Sequence, residues 1–355
     1  MASAQPSPQF HVMQYIISSI DSPEIDIEPI RGRLASGLDE CPPDDRCLSW
    51  LIVLGVYSSS PADWPRKLHQ LKQEYNGYIK DLKVADWHTK DIPTVIPYDA
   101  DLGIANKATM LLIHEDIIRT SRSIFCLPPQ SVSPPEGEQN DDIYFLYSFH
   151  FRKMERILYT FAMLNPFIGY MQGFNELIQP MYYVLVQAIE LFNFDYHTIE
   201  VLCFNMFLKL MMNTNLVSFF RTSSNAGTLA QLSVFTALLN KYQPDAASVI
   251  EQLNIHTAFY GFRWFALLYS QEFPLPDVIW IWDAILSHFD KVTDYAFYIG
   301  LGIIDQMKSR IMKADFASCI AMFQNLNAQD VKKSIIYANK LWKNYKSDKK
   351  RLFIQ

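Results

Sequence analysis

The segment from Ile199 to Met212 is apolar on nearly every side of a helical wheel. A helix of that kind is buried, because a helix at a protein surface keeps one polar face. The sequence therefore predicts a central helix that the rest of the chain must cover. With 355 residues, the chain is long enough to provide that cover in one large domain or in two lobes.

Helical periodicity extends over most of the remaining chain. Apolar residues recur at three- and four-residue spacing after Trp64, within 108–120 and within 154–162, as in amphipathic helices. The other predicted helices span residues 12–20, 44–54, 174–192, 226–242, 245–253, 256–270, 276–287, 293–312, 315–323 and 328–346. No convincing alternation typical of β-strands competes with them, and no solenoid repeat is visible. The predicted fold is all-α, a single large non-repetitive domain with two lobes.

Composition and charge exclude several classes of protein. Half of the residues are hydrophobic and 14% are aromatic, which excludes disorder for most of the chain. The net charge of −6 argues against nucleic acid as the main partner. The five cysteines are odd in number and none has the spacing of a metal site. We therefore expect a reduced, intracellular protein without a metal.

The ends of the chain and its most apolar stretch bear on localisation. The N-terminus lacks the basic start and apolar core of a signal peptide. Residues 174–192 carry Glu176 and Glu190, which makes them too polar to span a bilayer. We expect a cytoplasmic protein with at most peripheral membrane association. The chain ends in a basic tail at residues 346–355. The basic end could touch acidic lipid, but Asp348 interrupts it, and a solvated terminal helix is the favoured interpretation. Its cations are Lys340, Lys343, Lys346, Lys349, Lys350 and Arg351.

The stretch PFIGYMQGFNE, residues 166–176, lies between two apolar helical segments but does not resemble an ordinary linker. Gly169 and Gly173 permit a tight backbone or the close approach of another molecule. Gln172, held between them, could present its amide as a hydrogen-bonding group that does not titrate. The alternative is a simple helix–loop–helix corner, which this stretch taken alone favours.

Several fragments that suggest other chemistry lack the residues it requires. His114-Glu115 suggests a zinc protease, but Ile118 occupies the position of the second histidine. Trp282-Asp283 is a single WD pair within a helical pattern. The chain has no GxxxxGK[ST], GxGxxG or GxSxG motif, so we expect no nucleotide or other cofactor of its own. A self-contained hydrolase is not supported.

Three ordered segments together resemble the TBC-domain family, the Rab GTPase-activating proteins. Residues 113–120, IHEDIIRT, are similar to the family pattern IxxDxxRT, and residues 170–175, YMQGFN, are similar to YxQGMN. The third segment comprises residues 262–264, FRW, and residues 272–283, which end in Trp-Asp. The start of the domain is matched by Gly37, Arg46, Trp50, Trp64 and Tyr75. Each motif taken alone is weak evidence for the resemblance, whereas the three motifs in this order are strong evidence for it.

The resemblance covers roughly residues 31–345 and implies the domain organisation. An N-lobe of about 31–175 and a C-lobe of about 176–345 would form a V-shaped domain, preceded by a tail with one helix in residues 1–30. Two departures from the family pattern are small. Phe174 replaces the usual methionine, and Arg122 stands where many members have proline.

The resemblance also implies an activity. GTP hydrolysis requires that charge on the transferred phosphoryl group be neutralised and that a water be positioned. An arginine supplied in trans accelerates it by about 10³–10⁵, or about 4–7 kcal/mol. By resemblance, Arg119 is that arginine and Gln172 positions the water. The partner would be a GTP-bound Rab-family GTPase that holds GTP and Mg²⁺, and the process would be vesicle traffic.

Other residues receive supporting roles by resemblance. Asp116 would hold Arg119 through a pair three residues apart on one helix. Gly173 and Asn175 would shape the loop so that Gln172 projects, and Tyr170 would pack beneath it. Scaffold roles are expected for Trp264, Trp282 and Asp283, while Arg263 is either in a buried ion pair or a contact to the GTPase.

The alternative function is a non-catalytic helical scaffold that binds a Rab or another partner without stimulating it. Arg119 would then belong to a surface ion pair, which contributes little to stability. The joint presence of Arg119 and Gln172, in register with the third segment, favours the catalytic interpretation.

Overall fold

In the computed structural model, residues 12–18, 24–38, 41–120, 124–132, 143–220 and 225–352 are described. Within these ranges the chain forms helices joined by turns and loops, and no β-strand. The predicted all-α class is thereby confirmed. The predicted tail before residue 12, Arg122 and residues 133–142 lie outside the described residues. The division into lobes near residue 175 stays a prediction.

The α-helices are numbered here in chain order. They are α1 (Val12–Ser18), α2 (Glu28–Leu34), α3 (Pro43–Val53), α4 (Trp64–Asp81), α5 (Lys107–Arg119), α6 (Ile143–Leu146), α7 (Ser148–Leu164), α8 (Phe174–Gln187), α9 (Tyr196–Asn213), α10 (Asn225–Tyr242), α11 (Pro244–Gln252), α12 (Gly261–Ala266), α13 (Leu275–Leu286), α14 (Val292–Ile311), α15 (Phe316–Gln324), α16 (Val331–Trp342) and α17 (Tyr345–Leu352). Single 3₁₀ turns separate several of them.

One predicted helix, 256–270, is wrong. The structure has a 3₁₀ turn at Thr257–Phe259 and the short α12, after which Leu268 and Tyr269 adopt positive φ angles of 47° and 66°. The Tyr269 hydroxyl, deep in the core, donates to the carbonyl of Ala296 at 2.8 Å. The helix therefore breaks where the Tyr269 side chain is buried, and the positive φ angles at the break are ones that the local preference for helix disfavours.

The predicted central helix is confirmed as α9. It packs against α4, α7 and α8, and its side chains are buried on most sides. Fully burying one aliphatic or aromatic side chain contributes about 1.5–3 kcal/mol. The three surrounding helices therefore hold α9 as the centre of this part of the core.

A cluster of charged side chains lies within this core and was not predicted. Arg156 and Lys153 of α7 are almost fully buried beside Glu200 of α9. The Glu200 carboxylate accepts hydrogen bonds from Arg156 Nε at 2.5 Å, Lys153 Nζ at 3.1 Å and the Tyr75 hydroxyl at 2.8 Å. Burial alone would raise the pKa of Glu200, but these cations and donors lower its pKa to about 2.

Asp283 of α13 connects the third segment to the start of the domain. It is fully buried and accepts hydrogen bonds from the Trp50 indole at 2.7 Å and the Leu38 amide at 3.0 Å. Arg46 Nε lies 3.2 Å from the same carboxylate. Burial raises the pKa of Asp283 to about 6, against these partners. Trp282, whose ring stacks on Trp50, is likewise buried, which agrees with the scaffold interpretation.

The close contact between α14 and α16 depends on Gly302. A Cβ atom at this position would lie 2.6 Å from the Ser334 carbonyl oxygen and 2.8 Å from the Ser334 Cα. These are backbone atoms of the facing helix, so the clash cannot be relieved by a side-chain rotation. Gly302 therefore sets how closely the two helices approach.

We expect Gly302→Ala to lower the free energy of unfolding by about 1–3 kcal/mol, because α16 must move away from α14. Urea unfolding followed by circular dichroism measures the change. Gly77→Ala in α4 is the matched control, since no atom lies within 4 Å of a Cβ there. That control should be stabilised by about 0.5–1 kcal/mol. Equal stabilisation of both variants would contradict the proposed contact.

Candidate functional site

Arg119 is the last residue of α5. The helix begins after Asn106, whose side chain accepts a hydrogen bond from the Thr109 amide. Its apolar stripe, which includes Ile113 and Ile117, is fully buried and orients the opposite side toward solvent. The Arg119 side chain is 64% exposed, and its Nε donates to the Glu115 carbonyl at 2.9 Å. The end of α5 therefore presents a guanidinium group whose position is fixed.

Asp116 connects Arg119 to the stretch at 166–176. One carboxylate oxygen accepts a hydrogen bond from Arg119 Nη2 at 3.0 Å, and the other accepts from the Tyr170 hydroxyl at 2.8 Å. The Asp116 side chain is 8% exposed. Burial, with the Asp116 charge, raises the pKa of Tyr170 well above its ordinary value, so the phenol stays a donor. The predicted pair is present, and Tyr170 locks the stretch against α5.

The turn before α8 requires glycine for two reasons. Gly173 has a φ of +105°, in the region that favours glycine, and a Cβ there would lie 2.7 Å from a methyl of Leu267. The Gly173 amide donates to the Asn175 side-chain oxygen at 3.1 Å. The Asn175 amide nitrogen donates in turn to Thr120 Oγ1 at 2.9 Å. Gly173 and Asn175 therefore fix the turn to the end of α5.

Gln172 projects from this fixed turn. Its side chain is exposed, whereas Gly173 and Phe174, which follow it, are buried. Among the described residues its amide has no hydrogen-bond partner. The Gln172 amide, which is neutral and can both donate and accept, is thus held outward by a turn that is fixed to the end of α5.

A single open cleft of about 1100 Å³ brings these residues together. Its lining includes Arg119, Gln172 and Asn175 together with residues from the third segment. The lining is polar and apolar in about equal parts. The cleft residues outside the predicted set include Thr120, Glu176, Gln179, Phe262, Leu267, Glu272, Pro274, Gln324, Asn325 and Asn327.

Arg263 also lies in the cleft. Its Nη2 lies 2.9 Å from the Glu272 carboxylate and 3.2 Å from the Gln324 carbonyl, and its Nε bonds Glu272 as well. Burial raises the pKa of Glu272, although Arg263 opposes the shift. The Arg263 side chain is 41% exposed and that of Glu272 only 1%. The ion pair is present, and the contact of Arg263 with a GTPase stays a prediction.

Sequence reasoning missed three residues that organise the site. Thr120 accepts from Asn175, Leu267 fills the space beside Gly173, and Glu272 orients Arg263. Thr120 belongs to the Arg-Thr pair of the first motif, so the sequence carried a signal for it. Leu267 carried no local signal, because its contact with Gly173 joins segments far apart in the chain. Glu272 lies only nine residues after Arg263, but the pair spans the break at Leu268 and Tyr269, where a continuous helix was predicted.

The His114-Glu115 fragment has a structural role. Both ring nitrogens of His114 lie at hydrogen-bond distance from protein oxygens, 2.8 Å from Glu155 Oε1 and 3.1 Å from the Thr94 carbonyl. In the part of the chain that the structure describes, no cluster of three or more His, Cys, Asp or Glu side chains is arranged to bind a metal ion. No described helix combines the length and apolar character needed to cross a bilayer.

Comparison with known proteins assigns the family. Residues 46–312 match the family model of the Rab-GTPase-TBC domain. This match covers most of the chain, so the protein belongs to the Rab-GTPase-TBC domain family. The resemblance of the three ordered segments is thereby confirmed.

Three relatives illustrate the similarity. A TBC domain-containing protein of Schizosaccharomyces pombe is 35% identical over 191 residues, which are 49% of this chain and 30% of the relative. Human TBC1 domain family member 13 is 31% identical over 184 residues, 51% of this chain and 45% of that protein. The matched regions thus span less than half of each relative. The GTPase-activating protein GYP7 of Candida glabrata is 24% identical over 79% of this chain and 35% of its own length.

Solved structures share the fold. The crystal structure of the Ypt/Rab-GAP domain of Gyp1p superposes with a TM-score of 0.71 at 18% identity, covering 94% of this chain and 98% of that one. The TBC domain of a Chlamydomonas flagellar RabGAP gives a TM-score of 0.58 at 15% identity, covering 92% and 87%. Both confirm a TBC-type helical fold.

Proposed function

We propose that the protein accelerates GTP hydrolysis by a Rab-family small GTPase, to which it supplies Arg119 and Gln172 in trans. The observation that carries the proposal is the placement of these two exposed side chains in one cleft, each on a fixed backbone. Family membership and the GTPase-activating relative support it. The process that this activity would regulate is vesicle traffic.

Arg119 suits the neutralising role. Its guanidinium is permanently charged and its planar fork matches phosphate oxygens. The contacts to Asp116 and the Glu115 carbonyl occupy Nη2 and Nε, while Nη1 makes no hydrogen bond among the described residues. The cation is thus oriented on a residue that lines the cleft, and Nη1 stays available to a partner.

Gln172 suits the positioning role. The amide of a glutamine can both accept a hydrogen bond from an attacking water and donate one to it, as glutamine does in GTPases. The turn at Gly173 holds the amide clear of the domain, so a partner can approach it closely. The GTPase would bring the nucleotide and Mg²⁺, and this chain would bind neither by itself.

The test is phosphate release from a panel of GTP-loaded Rabs, with wild type and Gln172→Ala. For any Rab that the wild type accelerates, Gln172→Ala should lower the stimulated rate by about 10²-fold, the effect of removing one transition-state hydrogen-bonding group. Gln73→Ala, at an exposed glutamine of α4, is the matched control and should retain the wild-type rate.

The alternative scaffold function makes a different prediction. A wild-type protein that binds a GTP-loaded Rab but accelerates none in the panel would support a binding module. Acceleration that is equal in wild type and Gln172→Ala would instead show that the glutamine has no catalytic role.

A further inference from the structure

The last described helix, α17, carries basic side chains on its outward side. Tyr345 and Asp348 face the domain and are buried. The basic residues that are exposed on α17 and at the end of α16 form a surface that we call the basic face. Its members are Lys340, Lys343, Lys346, Lys349, Lys350 and Arg351.

Asp348 does not interrupt the basic face, contrary to the expectation from sequence. Its side chain is fully buried and accepts hydrogen bonds from Lys241, from the Tyr242 hydroxyl at 2.7 Å and from the Tyr298 hydroxyl at 2.5 Å. The one acidic residue of α17 is therefore neutralised inside the protein. The outward side of the helix carries cations without an intervening carboxylate.

The basic face is held on a docked helix. The Tyr345 hydroxyl donates to Asp294 of α14 at 2.5 Å, and the Tyr345 ring stacks on Trp342 with the ring centroids 4.1 Å apart. Together with the bonds to Asp348, these contacts fix α17 at both of its inward positions. The helix that carries the cations is therefore already in place before a partner binds.

The six cations are available to a partner. None of them forms an ion pair with another described residue, although the chain as a whole has a net charge of −6. An exposed isoleucine, Ile336, is 68% accessible and lies one helical turn before Lys340. Cations beside an apolar side chain match the headgroup region of a bilayer, which offers negative charge above an apolar layer.

We propose that the basic face docks the protein on a membrane surface that bears anionic headgroups. Each cation near such a surface contributes attraction, so a cluster of six is sufficient for peripheral binding. Ile336 would insert at the level of the headgroups. The proposal rests on α16 and α17 and is independent of the activity proposed for the cleft.

Sedimentation with vesicles tests the proposal. The full chain should bind vesicles of phosphatidylcholine with phosphatidylserine and not vesicles of phosphatidylcholine alone. Substituting Lys343, Lys346 and Lys350 together with glutamate should weaken binding at least about tenfold. Raising the salt from 0.1 M to 1 M should also release the protein, because the Debye length falls from about 10 Å to about 3 Å.

A control variant separates the basic face from net charge. Substituting Lys67, Lys80 and Lys313 with glutamate changes the net charge by the same amount at other surface positions and should leave vesicle binding unchanged. If both triple variants lose binding equally, or if wild type ignores phosphatidylserine, the proposal is wrong. Binding to soluble polyglutamate but not to vesicles would assign the face to an acidic protein and would also overturn it.

Folding and GTPase activation are checked separately from vesicle binding. Thermal unfolding shows whether the triple variant folds, and the milder pair Lys346→Gln with Lys350→Gln removes charge without adding carboxylates near Asp348. That pair should also weaken vesicle binding. Phosphate release measured without vesicles should be unchanged in all these variants, so loss of membrane binding and loss of GTPase activation can be distinguished.

Discussion

Arg119→Ala should lower the stimulated rate of GTP hydrolysis by about 10³–10⁵-fold, the acceleration that an arginine supplied in trans provides. The free-energy equivalent is about 4–7 kcal/mol of transition-state stabilisation. Arg119→Lys should recover little of this rate, because an ammonium lacks the planar fork that contacts phosphate and carboxylate together. Phosphate release with a responsive GTP-loaded Rab measures both variants.

Arg66→Ala is the matched control for Arg119→Ala. Arg66 also forms an ion pair with an aspartate three residues away on a helical segment, Asp63, at the same distance of 3.0 Å, but it lies outside the cleft. It should leave the rate unchanged. A small, equal effect of both substitutions would mean that Arg119 is an ordinary surface ion pair. Unfolding measurements should show little change for Arg66→Ala, because both members of its ion pair are exposed and such pairs contribute about 0–1 kcal/mol.

Glu200→Gln should lower the free energy of unfolding by about 3–5 kcal/mol, the loss expected when one partner of a buried ion pair is removed. The substitution keeps the shape of the side chain but leaves Arg156 and Lys153 buried without a compensating charge. Urea unfolding followed by circular dichroism measures the change. Glu251→Gln, at an exposed position of α11, should unfold like the wild type.

The same carboxylate has a pH signature. Its pKa is about 2 in the folded protein against an ordinary value of 4.5, so the unfolded chain binds the proton first as the pH falls. The contribution of Glu200 is therefore fully present above pH 4.5 and is lost as the pH falls toward 2. Glu200→Gln should show a shallower loss of stability over that range. An unchanged slope would mean that Glu200 is not paired in solution.

Local patterns identified much of the site. The pair of Asp116 and Arg119 follows from helical spacing, and the two glycines around Gln172 mark a turn that can hold a side chain outward. These relations involve residues a few positions apart, so they are visible in sequence. That Arg119 and Gln172 share a cleft was an inference from family resemblance, and no spacing rule contains it.

The buried charges show where sequence reasoning failed. Lys153 and Arg156 look like the polar face of an amphipathic helix, yet both are buried because Glu200 faces them from α9. Whether a charge can be buried depends on a partner distant in the chain, which no local window contains. The same reason explains why Asp348 was misplaced on the exposed side of α17.

Helix formation in this protein was accessible from sequence because it depends on neighbours three and four residues away. The apolar periodicity places most helices, including α9 at the centre of the core. Long-range contacts settled the remainder: the break after α12, where Tyr269 reaches Ala296; the link from Tyr170 to Asp116; and the inward turn of Asp348. Each contact joins residues so far apart in the chain that no helical periodicity relates them. These contacts therefore contribute to stability only once the helices have packed.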